Sequence, residues 1–128
     1  PIIFHNRNAD KDMISVLDEF PEVNGIAHCF SSTLETAQSF LEQGYYISFS
    51  GNLTFKKIHL PDVAKDIPLN RILVETDCPY LSPDPYRGKT NEPGRVRLVA
   101  EKLAKIHSLP LEKIVDITSN NATDIFQL

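Results

Sequence analysis

Gly25-Ile26-Ala27-His28-Cys29-Phe30 runs directly into Ser31-Ser32-Thr33-Leu34-Glu35, and this junction decides how the chain folds. The first six residues form a short, mainly apolar run of strand length, interrupted by one imidazole. The residues that follow carry a helix-start signal. Ser32-Thr33-Leu34-Glu35 fits a capping box, with the serine and the glutamate positioned to satisfy free backbone N–H groups. Leu34, Ala37, Phe40 and Leu41 then form one apolar helical face, and Gly44 stands where a C-terminal glycine ends a helix. Aromatic and β-branched residues from Tyr45 to Ser50 make the next strand. The stretch therefore reads as strand, helix, strand.

The same alternation extends both ways. Upstream, Ile2–His5 is a strand. It is followed by a helix from about Asp10 to Phe20, with Asp10 as its N-cap, Met13, Ile14, Leu17 and Phe20 on one face, and Pro21 as its stop. Downstream come a short helix near Pro61–Lys65 and a strand over Arg71–Glu75. A proline-rich loop runs from Pro79 to Pro93. A long helix spans about Arg95 to His107, with Val96, Val99, Ala100 and Leu103 facing inward. Ser108 and Pro110 open another helix, and Thr118–Phe126 is helical too. Strands alternating with helices imply an α/β fold of parallel (β/α) units. Four such units are half of a (β/α)8 barrel, or else a small open sheet. Residues 1–128 are expected to be a single partial domain. Pro1-Ile2-Ile3-Phe4-His5 reads as an apolar segment already under way, as in a piece of a longer protein.

Bulk composition narrows the function. The chain has 128 residues, 41% hydrophobic and 23% charged, as in an ordinary globular domain. No apolar run has the length of a membrane span, and no secretory leader pattern is present, so no membrane partner is expected. Two cysteines, Cys29 and Cys78, are too few for a disulfide framework; they read as reduced, buried thiols of a cytoplasmic protein. The net charge of −4 argues against nucleic-acid binding through a broad basic surface. It leaves room for a nuclease whose bound metal ions supply the local positive charge.

Three of the four strand candidates end in metal-competent side chains: His5, His28, and the pair Glu75 and Asp77. Carboxyl ends of parallel strands are where such folds build active sites. Imidazole nitrogen and carboxylate oxygen suit divalent ions, and a pair of ions can activate water and clamp a phosphoryl group. Each residue also has a plainer reading. His5 alone is more readily a hydrogen-bonded surface group, His28 and Cys29 a small buried polar pair, and Glu75-Thr76-Asp77 a turn leading into Pro79. The repetition of one positional pattern across three units favours the site. His59 and His107 lack that placement and read as surface residues. Ser31-Ser32-Thr33 opens a helix where phosphate could be met, or where the residues merely cap. Arg87 and Lys89 in the long loop could reach a phosphate, or form a solvated basic turn. Tyr80 and Tyr86 could stack on bases or brace the loop.

The ordered set of motifs resembles the TatD family of metal-dependent deoxyribonucleases, within the amidohydrolase-like barrels. The likeness lies in Ile2–Arg7, Gly25–Ser31, Tyr46–Gly51, Thr54-Phe55-Lys56, Glu75–Leu81, Arg87-Gly88-Lys89, Asn91-Glu92-Pro93 and Asn120-Asn121. It covers essentially the whole chain and implies the C-terminal half, the last four strands, of a (β/α)8 barrel. It implies hydrolysis of DNA phosphodiesters, typically as an exonuclease, with Mg, Mn or Zn as the ion and two ions in the full-length protein. His5, His28 and Asp77 would be metal ligands. Glu75 would share the pocket and act with Asp77 in catalysis. Arg7, Ser31, Arg87 and Lys89 would contact substrate. The family's His-x-His and its further glutamate ligand, carried on earlier strands, have no counterpart here, so the 128 residues alone are expected to be inactive and to bind metal weakly. Ser32, Asn6, Asn8 and Cys78 depart from the family's usual residues without touching the implied ligands. Two rival readings remain: a hydrolase of small amides or esters on the same barrel, and a non-catalytic binding domain.

Overall fold

A computed structural model describes all 128 residues, Pro1–Leu128. The strands are β1 (Ile2–His5), β2 (Gly25–His28), β3 (Tyr46–Phe49) and β4 (Ile72–Val74). They lie in the order β1-β2-β3-β4, and every neighbouring pair is parallel. The helices are α1 (Asp10–Asp18), α2 (Leu34–Glu42), α3 (Leu60–Asp66), α4 (Val96–His107) and α5 (Leu111–Phe126). The expected alternation is therefore present, and no helix is long and apolar enough to cross a membrane.

Period-two alternation along each strand sorts the side chains onto two faces. Phe4, Ala27, Ile47, Phe49 and Ile72 face the helices and join Phe40, Leu53, Leu60, Leu103 and Ile114 in the main core. Phe4 meets Phe40 and Tyr45 edge-on, with ring centroids 5.1 and 5.4 Å apart. The alternate positions, Ile3, Ile26, His28, Ser48, Leu73 and Glu75, line a cavity on the opposite face. Helices α1–α4 and the start of α5 cover one side of the sheet. The end of α5 reaches the other, where Ala122 and Ile125 pack on Ile26 and Leu73 in the face that also carries His28 and Glu75.

Several local expectations are corrected in detail. β1 has the bounds expected of it, but β2, β3 and β4 end one or two residues earlier than their apolar runs, although the ladder continues through Phe30 N–H to Ser48 O and Glu75 N–H to Phe49 O. Asp10 is the first residue of α1, not its N-cap; Ala9 holds that place without a side-chain cap. Its carboxylate instead accepts hydrogen bonds from Asn6 Nδ2 and Thr36 Oγ1 at 2.5 and 3.0 Å, and from Ser32 Oγ. Ser32 is consequently not the cap of α2. Thr33 is, accepting from Thr36 N–H at 3.3 Å. Gly44, at φ +88, turns the chain out of α2 in the left-handed region that a side chain disfavours. The two C-terminal helical signals belong to one helix, α5, of 16 residues. Thr118 rests mid-helix because its hydroxyl donates to Ile114 O at 2.9 Å. Asn121 docks α5 on the sheet, donating to Leu69 O and Ile72 O at 2.8 Å each. His107 is half-buried rather than a surface residue; burial lowers its imidazole below the ordinary 6.5, opposed by a backbone hydrogen bond at Ala64.

Asp10 ties the loop after β1 to the start of α2. Burial alone would raise its carboxyl, but the hydrogen bonds from Ser32, Asn6 and Thr36 together hold it below the ordinary 3.8. A depressed acid contributes stability that is complete above its unfolded value and is lost as pH falls through the folded one. We expect Asp10→Ala to cost about 1–3 kcal/mol in urea unfolding at neutral pH. The deficit relative to wild type should shrink as pH is lowered below 3.8, where the wild type loses the same contribution. An Asp10→Ala midpoint equal to wild type at neutral pH would refute this role.

Candidate metal centre

The register of the sheet assembles the site. His5 pairs with His28 across β1 and β2, so both imidazoles emerge from the same end of the sheet. Phe49 pairs with Val74, which sets Glu75 one residue beyond β4 at that end. Glu75 shares strand parity with Leu73 and turns to the face where His28 points. Asp77 follows at φ +54, in the left-handed region that aspartate enters more readily than most residues.

His28 is the centre of the group. Its Nδ1 lies 2.7 Å from Glu75 Oε1, and its Nε2 lies 3.4 Å from Asp77 Oδ1. One donor atom from each of His28, Glu75 and Asp77 falls within 4.8 Å of the others. All three side chains are partly buried. The His5 ring stands alongside, its centroid 6.0 Å from that of His28. His5 is exposed and lies outside the tight group of three, but with Asp77 it lines a second cavity of about 440 Å³. That cavity also takes in Asn6, Arg7, Cys29, Ser31, Asn52 and Tyr80. Asp77 is thus the wall between two spaces: this polar one, and the more apolar one lined by His28 and Glu75.

The donor set fits a divalent ion. One imidazole and two carboxylates are hard to borderline donors, as Mg²⁺, Mn²⁺ or Zn²⁺ require. Glu75 Oε1 is buried and accepts no hydrogen bond: the ring N–H of His28 is close but not aimed at it. A buried carboxylate oxygen without a donor is costly unless a cation faces it.

Cys29, beside His28, holds a left-handed conformation at φ +48 and turns its thiol inward to Ser50 Oγ at 3.0 Å. Ser50 in turn donates to Asn52 Oδ1 at 2.9 Å. Burial pushes the Cys29 thiol up to about 11; the Ser50 hydrogen bond opposes this, and the charges of Glu75 and Asp77 add to it. Cys78, expected to be buried, is exposed. The next loop packs on the turn after β3, where a Cβ on Gly51 would come within 1.8 Å of Leu81 O.

The remaining candidates divide. Arg7 and Ser31 line the polar cavity, both exposed. Arg87 and Lys89 line neither cavity. The Arg87 guanidinium sits 4.1 Å from the Phe55 ring centroid, and Lys89 Nζ sits 6.0 Å from that of Tyr86. Tyr86 is covered further by Arg95 at 4.3 Å, so it braces the loop, whereas Tyr80 is 71% exposed at the cavity. Asn52 and Asn91 were not singled out as site residues from sequence. A buried asparagine carries no periodic signal, and only its motif position marked Asn91.

The family model for TatD-related DNases matches residues 1–127, and the chain belongs to that family. It is 44% identical over its whole length to the uncharacterized metal-dependent hydrolase YabD of Bacillus subtilis, covering 51% of that protein. It is 43% identical to the uncharacterized metal-dependent hydrolase YcfH of Escherichia coli, covering 49% of it. Among solved structures, YJJV, a TatD homologue from Escherichia coli, superposes on all of this chain with a TM-score of 0.92 at 28% identity. A TatD-family hydrolase from Entamoeba histolytica superposes on 98% with a TM-score of 0.87 at 26% identity. The chain spans about half the length of these relatives, and its four parallel strands correspond to the C-terminal half of the family's barrel.

The two thiols should react differently. Under mildly alkaline conditions Ellman's reagent should titrate Cys78 alone in the native chain, and both thiols after unfolding in urea. Rapid native reaction of both would show that Cys29 is open to solvent.

Proposed function

We propose that this chain carries one wall of the active site of a metal-dependent phosphodiesterase acting on DNA. The observation that supports this most is the convergence of His28, Glu75 and Asp77 beside a polar cavity lined by Arg7 and Ser31. His28 and Asp77 would hold a divalent ion, with Glu75 at its edge and His5 reaching from the next strand. In the complete barrel the other four strands would supply the remaining ligands and a place for a second ion. A bound divalent ion supplies Lewis acidity toward a phosphoryl oxygen and lowers the pKa of coordinated water.

The residues of this chain do the rest. Glu75 Oε1, without a hydrogen-bond donor, accepts a proton from a water brought to the His28 side. Glu75 Oε1, 2.7 Å from Nδ1, and Asp77 Oδ1, 3.4 Å from Nε2, flank the His28 ring on its two nitrogen sides. Arg7 offers a guanidinium fork to a non-bridging phosphate oxygen, and the Ser31 hydroxyl a neutral donor beside it. Tyr80 presents its exposed ring at the same cavity, where a base can stack on it. The cavity has one lysine or arginine, Arg7, because Arg87 and Lys89 are engaged with aromatic rings. One phosphate clamp suits a strand end better than a long duplex and supports exonucleolytic cleavage. It also keeps alive the reading of a small ester or amide substrate. Two free cysteines agree with a reducing, cytoplasmic setting.

The test is hydrolysis of labelled single-stranded DNA against small amides and esters, with the 128 residues alone and within a complete barrel. We expect cleavage of DNA from an end, only in the complete barrel, and abolished by EDTA. His28→Ala should lower the rate by at least about 100-fold under limiting metal. Amide turnover without DNA cleavage would replace this reading with the amidohydrolase one. Full DNase activity of His28→Ala would remove the metal assignment.

A further inference from the structure

We propose that Asn91, fifteen or so residues of loop away from the site, is the positioning residue that holds Asp77 in place to bind metal; this rests on reading Asp77 as a ligand. Asn91 is 4% exposed, yet it lies in a loop that is otherwise largely open to solvent. Its side chain is fully used. Nδ2 donates to Thr76 O at 2.7 Å and to Tyr80 O at 2.8 Å, and Oδ1 accepts from Glu92 N–H at 2.9 Å. Its own N–H donates to Pro79 O at 2.9 Å. Asn91 therefore grips the chain on both sides of Asp77.

The geometry of the grip matters more than its strength. Thr76 O and Asp77 N belong to one planar peptide unit. Pinning that carbonyl fixes the plane about which the Asp77 backbone turns, and Asp77 turns it to φ +54. A second hydrogen bond, from Tyr80 N–H to Asp77 O at 2.9 Å, closes the turn that Asn91 then ties off at Tyr80 O. Left-handed backbone is adopted by a non-glycine residue only where its surroundings hold it. Asn91 is the side chain that supplies this hold, since the nearest other side-chain contact in the turn is the long one from Cys78 N–H to Thr76 Oγ1 at 3.4 Å. Asp77 Oδ1 is thereby kept 3.4 Å from His28 Nε2, close enough for one ion to touch both.

Two donors to two carbonyls define what can replace the residue. Aspartate has the same shape but turns an acceptor toward Thr76 O and Tyr80 O, which repels both. Serine keeps a single donor on a shorter stem. Neither variant alters any of His5, His28, Glu75 or Asp77.

The experiment is a Zn²⁺ titration of these 128 residues within a complete barrel, followed by NMR of the His28 ring nitrogens, with the urea midpoint of each variant measured in metal-free buffer. Asp77→Asn is the control for the reading beneath the proposal. We expect Asp77→Asn to weaken Zn²⁺ binding, and Asn91→Asp and Asn91→Ser to weaken it by about 10-fold or more while remaining folded at the titration conditions. If Asp77→Asn weakens binding but both Asn91 variants bind as wild type, Asn91 does not position the ligand and the proposal falls alone. If Asp77→Asn leaves binding unchanged, Asp77 is not a ligand and both readings fall. Should Asn91→Asp not fold, Asn91→Ser decides. Loss of the fold in both variants would make Asn91 a stability residue and overturn the proposal.

Discussion

Parallel pairing in register is the interaction on which the rest of this structure depends. A parallel strand can be followed by another only after the chain has returned along the outside of the sheet, so every strand finishes at the same rim. Here the ladder matches His5 to His28 and Phe49 to Val74. Residues far apart in sequence are thereby delivered to one edge with no need for long side chains to reach across. A slip of one residue in any pair would swing His28 or Glu75 to the helix side, among Phe4, Ala27 and Ile47. The apolar alternation that builds the core is thus the same constraint that aims the polar groups away from it.

The electrostatics of the rim are shaped by what is withheld. The chain is acidic, at −4, and two of the loop cations lie over aromatic rings. What remains is a pair of carboxylates around one imidazole, with a single guanidinium on the other side of Asp77. Such a place attracts a small cation first and an anion only afterwards, through that cation. The high thiol value at Cys29 expresses the same local excess of negative charge on top of burial.

Much of this was legible in the sequence, for physical reasons. Strands and helices announce themselves by apolar period, and the polar residues that end Ile2–His5 and Gly25–His28 stand out against it. Asp77 could be placed near them once the (β/α) alternation was read. Side-chain hydrogen bonds that join distant segments were not legible. Asp10 and Ser32 look like caps because both types cap helices well, but they bond to each other across 22 positions instead. Arg87 and Lys89 look free because a basic tripeptide with a glycine looks solvated, yet Phe55 and Tyr86 take up both cations. Asn91 and Asn121 use the same device, one amide donating to two backbone carbonyls, and nothing in their immediate neighbours signals it.

The close packing of Leu81 on Gly51 has a consequence for how such a protein can diversify. The loop after β4 is anchored at its beginning by that backbone contact and at its end by Asn91, while residues 85–90 between the anchors are exposed. Apart from Tyr86, which Arg95 and Lys89 cover, changes of charge can accumulate in that arc without disturbing either anchor. Lineages of this fold can therefore rewrite what approaches the rim while inheriting the rim itself unchanged. New specificities would then arise by altering the tip of one loop, and loss of chemistry by altering its roots.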